Sequence, residues 1–128
     1  MRIKSLALIS LCFVLTSLAY GQTTLKANIP FAFSAAGKVL PAGQYDVVTA
    51  PGAAPIRVRS ADGKDAVIVT IVTRLAGSMH TTPKDAHLIF DKVGENYFLS
   101  EVWIPGVDGY LLNSTAQQHE HRVINIPR

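Results

Sequence analysis

The sequence predicts an all-β fold: an antiparallel meander of about seven or eight strands, forming a small β-sandwich or β-barrel behind an N-terminal signal peptide. Three observations carry this. Apolar residues recur at every second position, turn-forming residues punctuate the chain at short intervals, and no helical apolar stripe appears between residue 22 and Ser114.

Each element follows from local chemistry. Leu25, Ala27, Ile29, Phe31 and Phe33 alternate with Thr24, Lys26, Asn28, Pro30 and Ala32, which specifies a strand with one buried face. Pro30 has no N–H to give to a ladder, so this strand belongs at a sheet edge or is broken by a bulge. Ala35-Ala36-Gly37-Lys38 reads as a turn, Leu40-Pro41-Ala42-Gly43 as a bend, and Tyr45 to Thr49 as a strand. After the loop Ala50 to Pro55, Ile56-Arg57-Val58-Arg59 alternates cleanly, and Asp62-Gly63 is the strongest hairpin dipeptide. Ala66 to Val72 is almost continuously β-branched and apolar, the pattern of a central strand covered on both faces. Leu75 to Lys84 is irregular. His87 to Val93 and Tyr97 to Ile104 form a hairpin turning at Gly94-Glu95, and Tyr110-Leu111-Leu112 adds a short strand. Ser114 with Gln117 makes a capping box for a short helix, and Val123 to Ile126 a terminal strand or tail.

Residues 1–21 have the order of an export signal: Arg2 and Lys4, an apolar run of about thirteen residues from Leu6 to Leu18, then Ala19-Tyr20-Gly21. That run is too short to cross a bilayer core of ~30 Å as a helix. Cleavage after Gly21 would leave 107 of the 128 residues, read as one β domain over 22–113 and a tail over 114–128. The expected location is secreted or periplasmic, with no membrane span after cleavage. The single cysteine, Cys12, lies inside the leader, which excludes a disulfide framework, a thiolate metal site and a thiol nucleophile in the mature chain. Removing Arg2 and Lys4 from twelve basic residues leaves ten against nine acidic ones, and they are dispersed. Such a balance gives no electrostatic basis for a nucleic-acid partner.

Ile29-Pro30-Phe31-Ala32-Phe33, Leu40-Pro41-Ala42-Gly43-Gln44-Tyr45 and Tyr97-Phe98-Leu99-Ser100-Glu101-Val102-Trp103 resemble motifs of a family of small exported bacterial β-rich proteins of unknown function. The resemblance spans Ala27 to Gly106 and weakens beyond it. It implies export and a β domain, and brings no activity or residue role with it.

Three groups of side chains are candidates for function. Tyr97, Glu101 and Trp103 fall on one face of a regular strand, with Tyr110 nearby, and an exposed Trp and Tyr beside a carboxylate suit a sugar or a protein surface. The opposing interpretation is that Trp103 fills the core, since Trp is highly buried on average. His119-Glu120-His121 has metal-ligand spacing: on a strand both imidazoles share a face, whereas on a helix they diverge. Two ligands alone make a weak site, so a solvated polar tail is the default, and nothing in the sequence brings His80 or His87 close. The third candidate is the edge formed by Lys26, Asn28 and Pro30, where a partner could add a strand. Ser60, Ser78, Ser100 and Ser114 lack a nucleophile-elbow setting, and no carboxylate set converges. The expected function is therefore a non-enzymatic binding or scaffolding domain of the envelope or exterior, without a cofactor and with a protein or envelope component as partner. The alternatives are a small-ligand or carbohydrate-binding barrel, its mouth at the Leu75–Lys84 and Pro105–Asp108 loops, and a hydrolase or metal-dependent enzyme.

Overall fold

The computed structural model describes residues 22–50, 54–75, 85–105 and 109–127; residues 1–21, read above as an export signal, and most of the Leu75–Lys84 and Pro105–Asp108 loops lie outside them. Among the described residues there is no helix, and eleven strands form two sheets. They are β1 (Thr23–Ile29), β2 (Phe33–Ala35), β3 (Lys38–Leu40), β4 (Gly43–Thr49), β5 (Ile56–Ser60), β6 (Ala66–Val69), β7 (Thr73–Leu75), β8 (Ala86–Val93), β9 (Asn96–Trp103), β10 (Gly109–Leu111) and β11 (Glu120–Ile126). Seven of them are four residues or longer, as the alternation predicts; β2, β3, β7 and β10 are three-residue strands with too little pattern to read in advance.

One sheet runs β1-β4-β5-β6 and the other β11-β8-β9-β10-β7, with the β2–β3 hairpin attached to β9. Pairing is antiparallel apart from a parallel bridge between Ser34 and Phe98. The two layers make a β-sandwich and no closed barrel, so a ligand cavity with a barrel mouth is not what these strands build. The core lies between the layers. Leu25, Ala27 and Ile29, Tyr45 and Val47, and Ile56 and Val58 point in from the four-stranded sheet, against Leu88, Phe90, Leu99, Val102, Tyr110 and Ile126 from the other.

Pro30 divides what reads as one strand from Leu25 to Phe33. β1 ends at Ile29, and the chain crosses to the second layer, where Phe33 enters β2. The crossing is filled by rings: Phe33 meets Tyr45 edge-on at 5.2 Å and Phe90 at 5.4 Å, and Phe31 stacks on Tyr97 at 3.8 Å. Both sheets are thereby joined through one aromatic cluster, which gives the Ile-Pro-Phe-Ala-Phe segment an architectural role.

The turns follow from backbone chemistry. Ala36 and Gly37 both have positive φ, 51° and 78°, and connect Ala35 to its partner Lys38 as a two-residue primed turn. Asp62-Gly63 does sit in a hairpin, but the turn is wider: Ser60 N–H donates to the Asp65 carbonyl, enclosing Ala61 to Lys64. The Ser60 hydroxyl and the Lys64 N–H both donate to the Asp62 carboxylate, and these bonds hold Asp62 below its ordinary carboxylate range.

Ala66 to Val72 departs most from expectation. It is not a central strand: β6 is the last strand of its sheet, Val67 and Val69 turn inward, and Ile68 is 64% exposed. Continuous β-branching raises strand propensity without telling a covered strand from a bare one. At the C-terminus the terminal strand forms, and no helix starts at Ser114. β11 pairs along its whole length with β8, from Glu120–Lys92 to Ile126–Ala86.

Tyr45 gives a test of the core. Its ring is buried and its hydroxyl donates to the Pro41 carbonyl, while burial, then Asp65 and Asp62, raise the phenol above its ordinary value. Tyr45→Phe should lower stability by about 1 kcal/mol at neutral pH in urea melts. A raised folded-state value means that the phenol's contribution is present below the unfolded value near ~10 and lost as pH rises through the folded one, so the parent–variant gap should shrink in alkali.

Candidate functional site

β9 carries a bulge that decides which side chains meet. Ile89 faces Glu101 and Phe90 faces Leu99, so Ser100 is an extra residue without a register partner. The insertion reverses the alternation along the strand. Tyr97 and Leu99 turn toward the core, whereas Glu101 and Trp103, opposite Ile89 and His87, turn to the outer face. The four aromatic-face candidates are therefore divided. Tyr97 packs on Phe31 near Lys92, and Tyr110 is buried in the core beneath Arg74. Glu101 and Trp103 stay together, the indole N–H donating to the Glu101 carboxylate at 3.0 Å. One indole face is covered by His87, stacked at 5.8 Å.

Ser100 also redirects the chain that follows β10. Its carbonyl accepts from Leu112 N–H at 2.7 Å, and its buried hydroxyl donates to the Asn113 carbonyl at 2.8 Å. From there the segment Asn113 to Gln117 borders Val93, Asn96 and Phe98, on its way across β9 and β8 to the outer edge. Inserting a residue in β9 thus creates the anchor by which the tail crosses the sheet.

The crossing brings together a site that sequence spacing half-predicts. β11 sets His121 directly opposite Asp91 of β8, and His119 arrives from the bend just before the strand. The Asp91 Oδ1 atom lies 3.1 Å from His121 Nδ1 and 3.8 Å from His119 Nε2. All three donor atoms fall within 4.8 Å of one another. Asp91 belongs to the outward parity of β8, with His87 and Ile89, yet its side chain is 3% exposed and its Oδ1 has no hydrogen bond of acceptable geometry. A buried carboxylate oxygen in that condition is costly. His119 is oriented from behind: its Nδ1 lies 2.7 Å from the Gln117 carbonyl, which can only accept, so Nδ1 carries the proton. In the neutral ring this leaves the lone pair on Nε2, the nitrogen that lies 3.8 Å from Asp91 Oδ1. Nothing in the sequence marks Asp91 as a partner of His119 and His121, because an acidic residue on an outward strand position reads as solvated.

The remaining described candidate residues lie apart from this cluster. His87 sits beside Trp103, four residues along β8 from Asp91, and His80 lies outside the described residues. Lys26 and Asn28 are exposed on β1, the terminal strand of its sheet, and Pro30 ends that strand. Pro127, just past β11, borders the same depression as Lys26 and Asn28, so the C-terminal strand flanks this edge. A scan against protein-family models finds no match, and searches of curated proteins and of solved structures find none either.

Gly109 is the position on which the outer-face pair depends. It lies opposite Trp103, and a Cβ there would come within 2.5 Å of the indole ring. Gly109→Ala should cost roughly 1–3 kcal/mol and swing the indole off His87, seen as a shifted Trp emission maximum. An unchanged emission spectrum would mean that the ring does not lie over Gly109.

Proposed function

We propose that this chain is an exported, non-enzymatic binding domain of the envelope or exterior, which captures an extended segment of a partner protein by strand addition along β6. The observation that carries the reading is the character of this edge. β6 (Ala66–Val69) holds no charge and no proline, Ile68 is more than half exposed, and no described strand pairs with its outer side. Edges that must stay unpaired are ordinarily blunted by Lys, Pro or a bulge. β1 fits that protected type, with Lys26, the Pro30 break and the neighbouring Pro127, so the edge suited to a partner is β6 rather than β1. Arg57 stands opposite Ile68 on the outer face, which favours a partner strand that alternates apolar with acidic residues.

The non-enzymatic part rests on committed hydroxyls: Ser100 is buried and bonded to Asn113, and Ser60 donates to Asp62 at 2.6 Å. Carbohydrate stacking has less support, because His87 covers one face of Trp103 and Glu101 takes its N–H.

A photo-crosslinking residue at position 68, compared with one at position 26 in the exporting host, tests the assignment. A heteromeric adduct at position 68 and none at 26 is expected, and Ile68→Lys should abolish binding while changing stability by no more than about 0.5 kcal/mol. An adduct with a second copy alone, or none at position 68, would refute capture of a partner by this edge.

A further inference from the structure

We infer that Asp91, His119 and His121 form a binding site for one divalent transition-metal ion of the zinc class, which fastens the C-terminal strand to β8. This does not depend on strand addition at β6, which uses the opposite sheet.

The donor set comes first. Two imidazole nitrogens and a carboxylate oxygen suit borderline ions such as Zn2+, and do not suit Ca2+ or Mg2+, which take oxygen ligands. Bonds of about 2.0–2.2 Å in a tetrahedral arrangement place donor atoms roughly 3.3 Å apart. The Asp91–His121 separation of 3.1 Å and the Asp91–His119 separation of 3.8 Å bracket that value. The two imidazole planes are nearly perpendicular, at 84° with centroids 4.9 Å apart, so the rings meet edge to face and do not stack.

A second, independent observation is the state of Asp91. Its Oδ1 is buried and unpartnered, although a histidine nitrogen lies 3.1 Å away. Nitrogen and oxygen are close but not aligned for a hydrogen bond, as expected of atoms directed at a third centre. An ion there would give the carboxylate the partner that burial otherwise denies it.

The third observation lies behind the ligands. The Gln117 carbonyl accepts from His119 Nδ1, which is how metal-binding histidines are commonly fixed in the tautomer that presents the other nitrogen. His121 is exposed, and His119 borders a shallow depression shared with Lys92, Gln118 and Glu120, so an ion can enter from solvent. Three protein ligands leave one tetrahedral position for water or an external donor.

Binding would span β8 and the tail, so it should stabilise the fold as well as fill a site. Chelator-treated full-length protein, titrated with Zn2+ alone in a calorimeter, should bind one equivalent. Co2+ in its place should give visible d–d bands of a site with nitrogen and oxygen ligands. At free Zn2+ about one hundred times Kd, the melting temperature should rise by roughly 10–20 °C. His121→Ala and Asp91→Asn should each weaken binding by about 100-fold or more, while His87→Ala should leave it unchanged. Should Asp91→Asn fail to fold, the exposed His121 variant decides. Absence of saturable heat with Zn2+, or a His121→Ala protein that binds as tightly as the parent, would overturn the site and leave Asp91 as a carboxylate shielded by two histidines.

Discussion

The structure around the candidate site depends on one irregularity, the unpaired Ser100 in β9. An uninterrupted β9 would keep Tyr97, Leu99, Glu101 and Trp103 on a single face. With the bulge, Leu99 serves the core and Trp103 the outer surface, so one strand fills the sandwich and also furnishes its exterior. The same residue supplies the carbonyl and hydroxyl that hold Leu112 and Asn113. That hold sends the tail across the sheet toward β11, and the register of β11 on β8 places His121 against Asp91. Bulge, tail path and site form one chain of cause.

The two halves of the molecule solve different problems. At the crossing between layers, Phe31, Phe33, Tyr45, Phe90 and Tyr97 supply apolar area and edge-to-face contacts that tie sheet to sheet. At the two sheet edges the chemistry diverges. β1 is ended by a proline and flanked by the C-terminus, whereas β6 exposes Ile68 and has no charge along it. The same pattern of β-branched residues that drives strand formation leaves that edge able to accept another strand.

How much could be read in advance follows from the range over which each feature is determined. Leu25 to Ile29, Ile56 to Ser60 and the hairpin at Gly94-Glu95 were legible because side-chain alternation and a glycine with positive φ act over a few residues. The position of β6 in its sheet was not, because a run such as Val67-Ile68-Val69 has the same composition whether or not a neighbour covers it. The bulge was hidden as well: nothing around Ser100 distinguishes it until Asn113 arrives to bond it. Of the metal candidates, His119 and His121 showed in their spacing, while Asp91 did not, since its burial comes from residues far along the chain. The division of the aromatic candidates, Glu101 and Trp103 on the outer face and Tyr97 toward the core, was hidden too, because their parity is set by an insertion that alternation cannot reveal.

The C-terminal strand docks on β8 in the register that sets His121 against Asp91. Nuclear Overhauser contacts in the full-length protein test it most directly. Cross-strand contacts are expected from Ile124 to Leu88 and from His121 to Asp91, together with one from Asn113 to Ser100. Random-coil shifts throughout 114–127, or a β11 ladder displaced by one residue so that Glu120 faces Asp91, would contradict it.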